Sequence, residues 1–362
     1  MSIKYIAEAG SNHNGSIKRA KDLVSAAAAS GATSVKFQFI FADGLYLPQY
    51  LDGNNYITNT VYGVRKKEEL SKNQWLEIWS VAKEKKMDIS ASVFCSKGVR
   101  LLSSLGASYV KISSTDLTNI RLIEEACDNF NTVIISTGMS SIDEIYKTVN
   151  FISNQFKNVT IKLMHCVSLY PCKLKDSVIS RVKALKENFG LEIGYSDHTG
   201  TEISAVLALM NGASFFEKHF TTNKNLPGFD HKYALSPDEL KNYIGILEDS
   251  SLAISSLPFS INEKEQETKV RARRGVYVNK DLSAGHVIGK EDLLYVRPSS
   301  EYLCNDPKSF IGKIIEKDIP KYSALGILDK MVIVKSNWKA ASNYWQKEMK
   351  EKKIKNNNGN NG

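Results

Sequence analysis

Cysteine is scarce in this sequence, and long apolar runs are missing. The five cysteines in 362 residues form no Cys-x-x-Cys pair and show no even spacing. Such usage argues against a disulfide framework, so we expect reduced thiols and a cytoplasmic location. No stretch approaches the ~20 apolar residues that cross a bilayer, and the first residues become polar too early for a signal peptide. We therefore expect no membrane association.

The formal net charge of +9 is unevenly distributed along the chain. Residues 332–362 contain seven lysines and two glutamates and end in a Lys/Asn-rich run of low complexity. This composition favours a solvated, disordered tail over an arm that binds nucleic acid or membrane. The smaller positive excess of the remaining chain suits anionic small-molecule substrates.

Apolar β-rich segments alternate with helical segments through residues 1–258, and their nearly continuous apolar character is typical of strands buried on both faces. The strands are predicted at 5–10, 34–40, 88–94, 109–114, 133–138, 160–166, 191–197 and 215–220. Capping boxes at Ser71, Ser141 and Ser236 open three of the helices that follow. Eight βα units in ~250 residues predict a closed (β/α)8 TIM barrel. A doubly wound open sheet is the alternative, which the missing Gly-x-Gly-x-x-Gly motif after the first strand disfavours.

A different pattern begins after the barrel segment. Residues 259–273 are highly charged and lack an apolar stripe, which indicates a linker or an exposed helix. In residues 274–331 short β segments alternate with glycine turns, which predicts a small β-rich second domain. The predicted tail, 332–362, follows it.

Histidines concentrate at the C-terminal ends of the predicted barrel strands, where such barrels carry their active sites. Five of the six histidines lie at or just past a strand end. A lone histidine in an apolar strand is more often a hydrogen-bonded core residue than a ligand. His198 and His219, however, end adjacent strands and would face each other across the barrel mouth. Two imidazoles with oxygen ligands suit a divalent ion, above all Mn²⁺, with Mg²⁺ or Co²⁺ as alternatives.

Charged residues also occur inside the apolar strands. Lys36 and Lys111 must either be buried in ion pairs or bind an anion, and we favour the anion. Ser114 and Ser136 would then donate hydroxyl groups to the same phosphate or carboxylate. Glu8 is either a structural acceptor for a lysine or a general acid/base.

An ordered set of motifs resembles the sialic acid synthase family, which includes the bacterial N-acetylneuraminate, legionaminate and pseudaminate synthases. The matching stretches run from residue 6 to about 298 and include IAEAGSNHNG, GATSVKFQ, VKISSTDLTN, GYSDHTG, EKHFTTNKNLPGFDH and RRGVYVNKDLSAGHVIGKEDLLYVRP. The resemblance implies a TIM-barrel transferase that condenses phosphoenolpyruvate with an N-acylated amino sugar such as N-acetylmannosamine. The products would be a nine-carbon 2-keto sugar acid, of the sialic acid or legionaminic acid type, and phosphate. It further implies a C-terminal SAF (antifreeze-like) domain and a domain-swapped homodimer.

The resemblance also implies roles for individual residues. Glu8, Lys36 and Lys111 would be catalytic, and His198 and His219 would bind Mn²⁺. Substrate would contact Gln38, Ser114, Asp116, Ser136, Ser168, Tyr170, Ser196, Asp230 and Arg297. The last of these, Arg297, would reach from the partner chain to the acyl group of the sugar.

Three segments depart from the family pattern. The usual Pro-Gly-Pro-Asp has Phe229 in place of its second proline, residues 41–70 have no clear match, and residues 299–312 replace a glycine-rich turn. These are regions that set specificity, so the exact sugar is not predicted.

Two other functions are alternatives to the synthase. One is a Schiff-base aldolase on the same barrel, using Lys36, Lys111 or Lys162. The other is a non-catalytic carbohydrate-binding protein, against which the presence of Glu8 and the histidine pair argues. Binding of nucleic acid is not expected.

Overall fold

The structure is a computed structural model that describes residues 3–254, 259–299, 307–327 and 331–334, with five further residues at 339, 342, 343, 346 and 347. The chain divides into two compact units, Met1–Ser255 and Ser256–Gly362. Beyond residue 334 the predicted tail lies almost entirely outside the described residues and stays a prediction. Where the structure describes the chain, no helix is long and apolar enough to cross a membrane.

Eight parallel strands of the first unit close into a barrel, in which the last strand pairs with the first. In chain order the strands of this unit are β1 (Lys4–Gly10), β2 (Ser34–Phe39), β3 (Gln49–Asp52), β4 (Asn55–Thr58), β5 (Asp88–Val93), β6 (Val110–Ile112), β7 (Thr132–Ser136), β8 (Thr160–His165), β9 (Glu192–Asp197) and β10 (Phe215–His219). All except β3 and β4, which form a separate antiparallel hairpin, belong to the barrel. The predicted eight-stranded barrel is confirmed, and the open-sheet alternative is wrong.

Helices follow the barrel strands, and most of them bury apolar residues in the barrel core. They are α1 (Ile17–Ala29), α2 (Ala42–Leu45), α3 (Thr60–Glu68), α4 (Lys72–Glu84), α5 (Ser96–Ser104), α6 (Ile120–Asn129), α7 (Ile142–Gln155), α8 (Ser180–Phe189), α9 (Ile203–Met210) and α10 (Pro237–Ala253). Ser71, Ser141 and Ser236 form the predicted capping boxes at the starts of α4, α7 and α10. These reciprocal hydrogen bonds satisfy backbone N–H groups that the helix itself leaves unpaired.

The segment 41–70, which has no clear family match, inserts α2, the β3–β4 hairpin and α3 between β2 and α4. Every strand residue of the hairpin is exposed. In contrast, Arg65 of α3 is buried despite its charge. The insertion therefore presents one charged side chain to the interior of the first unit.

The second unit begins with α11 (Glu263–Ala272), a helix with no buried residue. Of the two interpretations of residues 259–273, a linker or an exposed helix, the structure shows the exposed helix. Four antiparallel strands form its sheet: β11 (Gly275–Val278), β12 (Leu293–Val296), β13 (Ala324–Ile327) and β14 (Met331–Val334). Val276, Val278, Ile288 and Phe310 belong to a separate small core. The unit is β-rich as predicted, while its identity as a SAF domain and its limits at 274 and 331 stay predictions.

Candidate active site

A pocket at the C-terminal end of the barrel gathers side chains from all eight strands or from the loops that follow them. Its volume is about 70 Å³. Nine of the residues proposed from the sequence line it: Glu8, Lys36, Gln38, Lys111, Ser136, Tyr170, Ser196, His198 and His219. The lining also includes Ser92, Phe94, Ser113, Cys166 and Glu217. The barrel thus brings most of the predicted site together, because its βα loops converge at this end.

Two lysines and two glutamates form a buried cluster in this pocket. The Lys36 ammonium contacts a carboxylate oxygen of Glu8 and lies 3.6 Å from Oε2 of Glu217. Lys111 Nζ lies 2.5 Å from Oε1 of Glu217. None of the four side chains is more than 7% exposed, and their charges balance, which makes their burial tolerable. The lysines are therefore paired with carboxylates, and anion binding by them stays a proposal.

The two glutamates of the cluster hold protons with different affinity. Burial raises the pKa of Glu8 to about 7, although the neighbouring Lys36 acts to lower it. Burial acts to raise the pKa of Glu217 as well, but Lys111 and Lys36 outweigh it and hold that pKa well below the usual range. Environments that separate two carboxyl groups in this way are typical of acid/base sites. Glu8 can exchange a proton near neutral pH, whereas Glu217 stays ionised.

Two neutral imidazoles lie beside the cluster. The rings of His198 and His219 are 5.5 Å apart between centroids. Nδ1 of His198 lies 2.7 Å from the carbonyl oxygen of Val167, which can only accept, so Nδ1 carries the proton and Nε2 offers its lone pair. Burial lowers the pKa of His198 to about 3 and also lowers the pKa of His219. Both rings are therefore uncharged at neutral pH, the form that binds metal.

These features fit a divalent cation held by the histidine pair. Histidines that bind a metal commonly donate their other ring N–H to a backbone carbonyl, which fixes the tautomer. Nδ1 of His219 is buried, and no described residue makes a hydrogen bond to it. In the described residues no group of three or more His, Cys, Asp or Glu side chains is arranged to hold a metal. Water or substrate oxygens would therefore have to complete the coordination.

A second buried ion pair holds the loop that carries His198. Lys218 Nζ lies 3.0 Å from Oδ2 of Asp197 and also donates to the carbonyl of Thr199, at 2.6 Å. Oδ1 of Asp197 accepts from both the backbone N–H and the hydroxyl of Thr199, each at 2.8 Å. The polar residues of the GYSDHTG segment thus fix the position of the imidazole rather than merely forming a turn.

Three serine hydroxyls lie around the loop that follows β7. Ser114 Oγ accepts from the backbone N–H of Gly138 at 3.0 Å. A Cβ atom at Gly138 would lie 2.8 Å from Ser114 Oγ and 2.7 Å from Ser168 Oγ, so only glycine fits there. The hydroxyl of Ser136, which lines the pocket, is buried without a hydrogen-bond partner in the residues that the structure describes. Serine hydroxyls around the buried Gly138 can donate to an oxyanion.

Aromatic rings and Asp230 form another part of the site. The ring of Tyr170 lies 4.2 Å from that of His198 and 5.3 Å from that of Tyr233, between centroids. The Tyr233 hydroxyl donates to Oδ1 of Asp230. The other Asp230 oxygen comes so close to Gly10, at the end of β1, that a Cβ there would lie 2.9 Å from it. Asp230 is therefore held next to the strand that carries Glu8.

Five predicted substrate contacts are not among the residues that line the pocket: Ser114, Asp116, Ser168, Asp230 and Arg297. The carboxylate of Asp116 accepts hydrogen bonds from Ser113, Thr115 and Asn119, so it stabilises its own turn. Arg297 follows β12 in the second unit and is exposed. Their substrate roles stay predictions.

Among the five lining residues that the sequence-based assignment omits, Glu217 is the charged one. It lies in the predicted last strand, two residues before His219. A signal exists in the sequence, because two lysines buried in strands require more negative charge than Glu8 alone supplies. The pairing itself is visible only in the folded chain, where Glu217 contacts both lysines.

Comparison with known proteins gives consistent matches over most of the chain. Residues 23–257 match the model of the NeuB family. N,N'-diacetyllegionaminic acid synthase from Legionella pneumophila is 32% identical, over 88% of this chain and 92% of that protein. Pseudaminic acid synthase from Helicobacter pylori is 29% identical, over 82% and 88%. The crystal structure of N-acetylneuraminic acid synthetase from Leptospira borgpetersenii is 30% identical with a TM-score of 0.67, over 74% of this chain and 90% of that one.

Proposed function

Because this chain belongs to the NeuB family, we propose that it condenses phosphoenolpyruvate with an N-acylated amino sugar to give a nine-carbon 2-keto sugar acid and phosphate. The similarity to named acid synthases supports the reaction class. The observation that carries the proposal is the balanced cluster of Lys36, Lys111, Glu8 and Glu217 beside the neutral pair of His198 and His219. One pocket thus offers cations for an anionic substrate, a carboxyl group that titrates near pH 7, and two metal-binding imidazoles.

Phosphoenolpyruvate would bind with its own anionic oxygens in contact with Lys36 and Lys111. These contacts would replace those that the two lysines make with the carboxylates of Glu8 and Glu217. Lys36 and Lys111 both line the pocket, so their positive charges are at the place where the anionic substrate would lie. Ser114, Ser136 and Ser168 would donate to its oxygens. The lysine–glutamate pairs close much of a pocket of about 70 Å³, so we expect substrate binding to part them.

Glu8 is the proposed base of the reaction. The methylene carbon of phosphoenolpyruvate attacks the aldehyde carbon of the open-chain sugar, and the carbon that bears the phosphate becomes electron-deficient. The aldehyde C=O electron pair moves to its oxygen, which takes a proton and becomes a hydroxyl. Water adds to the electron-deficient carbon and gives one proton to Glu8, which can supply that proton to the former aldehyde oxygen. The C–O bond to phosphate then breaks, the remaining proton of the added water leaves with the phosphate, and the oxygen of that water becomes the keto oxygen. Gln38 donates to Oε1 of Glu8 at 3.0 Å and so orients the carboxylate for this transfer.

His198 and His219 would hold a divalent ion, which we propose to be Mn²⁺, with Mg²⁺ or Co²⁺ as alternatives. The ion would supply Lewis-acid polarisation of the aldehyde oxygen. Titration calorimetry with Mn²⁺ alone tests this without reference to activity. We expect His198→Ala and His219→Ala to weaken binding by more than about 10-fold, and His286→Ala in the second unit to leave it unchanged. Equal Mn²⁺ affinity in all four proteins would refute the metal site.

An assay of phosphate release tests the reaction. With phosphoenolpyruvate, Mn²⁺ and a panel of N-acylated hexoses, we expect stoichiometric phosphate and a keto-acid product by mass spectrometry. Lys36→Met should be inactive, while Lys21→Met, which removes an exposed lysine paired with Glu77 on the helical surface, should be fully active. A pyruvate adduct trapped by borohydride would instead indicate the aldolase, although Lys36 is poorly suited to it. Burial acts to lower the pKa of Lys36, but Glu217 and Glu8 outweigh burial and raise this pKa. Lys36 therefore stays an ammonium, whereas a Schiff base forms from the neutral amine.

The proposal includes a cytoplasmic, domain-swapped homodimer, as the family resemblance implies. In it the second unit is a SAF domain, and the exposed Arg297 of the partner subunit contacts the acyl group of the sugar.

A further inference from the structure

A larger cavity lies at the N-terminal end of the barrel, opposite the candidate active site. Its volume is about 390 Å³, compared with about 70 Å³ for the active-site pocket. The first residues of five barrel strands line it: Lys4 of β1, Ser34 of β2, Asp88 of β5, Thr132 of β7 and Phe215 of β10. Small-molecule sites in proteins commonly have volumes of ~300–1,000 Å³, so this cavity has the size of a ligand site.

The floor of this cavity is apolar and lies beneath the active-site cluster. It consists of the buried side chains of Ile6, Tyr109, Ile134 and Phe215, which belong to one apolar cluster. Three of these residues come two positions before residues that line the active-site pocket in the same strands, namely Glu8, Ser136 and Glu217. Alternate residues of a strand face the same side. The floor therefore separates two spaces that open at opposite ends of one barrel interior.

Most polar side chains around the floor already have protein partners. The Thr33 hydroxyl donates to a backbone carbonyl of β1 at 3.1 Å and accepts from a backbone N–H there at 2.8 Å. The hydroxyl groups of Ser34 and Tyr109 lie 3.0 Å apart. Ser108 Oγ lies 2.9 and 3.0 Å from the two carboxylate oxygens of Asp88. These groups therefore need no hydrogen bond from a ligand.

Two lysines leave donor capacity at the cavity. Lys162 Nζ contacts a carboxylate oxygen of Glu192 and lies 5.7 Å from the ring centroid of Phe215. An ammonium group has three donors, and this ion pair uses only part of them. The Glu192 side chain is 38% exposed, so water can solvate it when another anion binds Lys162. Lys4 supplies an exposed ammonium at the rim. The polar group that complements this lining is therefore an anion.

We propose that the N-terminal end of the barrel binds an organic monocarboxylate with an apolar body. The body would lie on the floor, where burial of apolar surface favours binding. The carboxylate would bind Lys162 inside the cavity, with Lys4 at the rim. None of the residues assigned to the reaction lines this cavity, so the site is separate from the active site and goes beyond the proposed function.

Titration calorimetry of the full-length protein with three probes tests this inference. The probes are 2-naphthoate, its neutral counterpart 2-naphthamide and the cation 2-naphthylmethylammonium. We expect 2-naphthoate to bind with a Kd of about 1 mM or lower, as its size allows. The amide and the cation should bind at least about 10-fold more weakly, the effect of losing one hydrogen bond to a charged group. Lys162→Met should weaken 2-naphthoate by a similar factor and leave the amide unchanged.

Two further variants locate the bound probe. Thr132→Trp places a large ring in the half-buried lining of the cavity and should abolish binding of all three probes. Lys183→Met removes an exposed lysine that pairs with Glu187 on α8 and should bind 2-naphthoate as the wild type does. Thermal unfolding without a probe checks that the three variants are folded.

Several results would overturn the inference. Equal affinity for 2-naphthoate and 2-naphthamide, tighter binding of the cation, or wild-type affinity for 2-naphthoate in Lys162→Met would exclude an anion site at Lys162. No binding of 2-naphthoate, or binding that persists in Thr132→Trp, would show that the cavity does not hold the probe. Each of these results leaves the proposed function unaffected, because phosphate release is measured without a probe.

Discussion

The two glutamates of the active-site cluster differ because they contact different numbers of lysines. Glu8 pairs with Lys36 and accepts a hydrogen bond from the neutral Gln38. Glu217 interacts with Lys36 and Lys111 together. The two glutamates therefore differ in role because their neighbours differ. Glu8 exchanges protons, and Glu217 neutralises buried ammonium groups.

The pKa of Glu8 predicts how activity depends on pH. A base must be ionised, so kcat/KM for phosphate release should rise with pH through a midpoint near 7 and then level off. Glu8→Gln should lower the rate by about 10²- to 10⁴-fold and remove this rise. Glu77→Gln, which alters an exposed carboxylate, should keep the wild-type profile. A residual Glu8→Gln activity with the same midpoint would assign the titration to another group.

Removal of the charge of Glu217 should destabilise the protein. In Glu217→Gln two buried ammonium groups lose their shared carboxylate, at a cost of about 3–5 kcal/mol in the free energy of unfolding. The matched change Glu77→Gln breaks a solvent-exposed pair with Lys21 and should cost less than about 1 kcal/mol. Urea unfolding of both variants measures the difference. Similar losses would show that the buried cluster contributes nothing beyond a surface ion pair.

At the scale of the elements, the loop after β7 has no room for a side chain at Gly138. A Cβ at Gly138 would lie within 2.9 Å of Ser168 Oγ, Ser114 Oγ and Cys166 Sγ. We predict that Gly138→Ala raises KM for phosphoenolpyruvate about 10-fold, the effect of losing roughly one hydrogen bond.

Gly245→Ala is the control for this loop. Gly245 lies within α10 with open space around it, so alanine should leave KM unchanged and stabilise the helix by about 0.5–1 kcal/mol. An unaltered KM in Gly138→Ala would show that the serines around this glycine do not bind the substrate.

At the scale of the whole molecule, the proposed domain swap predicts that two inactive variants complement each other. Lys36→Met disables the barrel, and Arg297→Ala disables the contact supplied to the partner's barrel. In a mixed dimer one of the two sites has both residues intact, so an exchanged equimolar mixture should recover about a quarter of wild-type activity. Activity no higher than the mean of the separate variants would show that each site is built from one chain.

Local patterns in the sequence determined the elements of this protein. Continuous apolar runs predicted the eight barrel strands, and Ser-x-x-Glu/Gln pairs predicted three helix starts, because strand burial and capping depend on residues close together in the chain. The histidine pair was predictable for a related reason, since adjacent parallel strands place their C-terminal ends together.

Only the tertiary structure decided which charges pair and which cavities form. Lys111 and Glu217 are 106 residues apart, and Arg65 meets Ser11 across 54 residues, so no local pattern encodes either contact. The sequence marks Lys36 and Lys111 as unusual and favours anion binding over ion pairing, although either would satisfy a buried charge. Pairing emerges because closure of the barrel brings β10 against β1, where Glu217 lies two residues before His219, the register partner of Glu8.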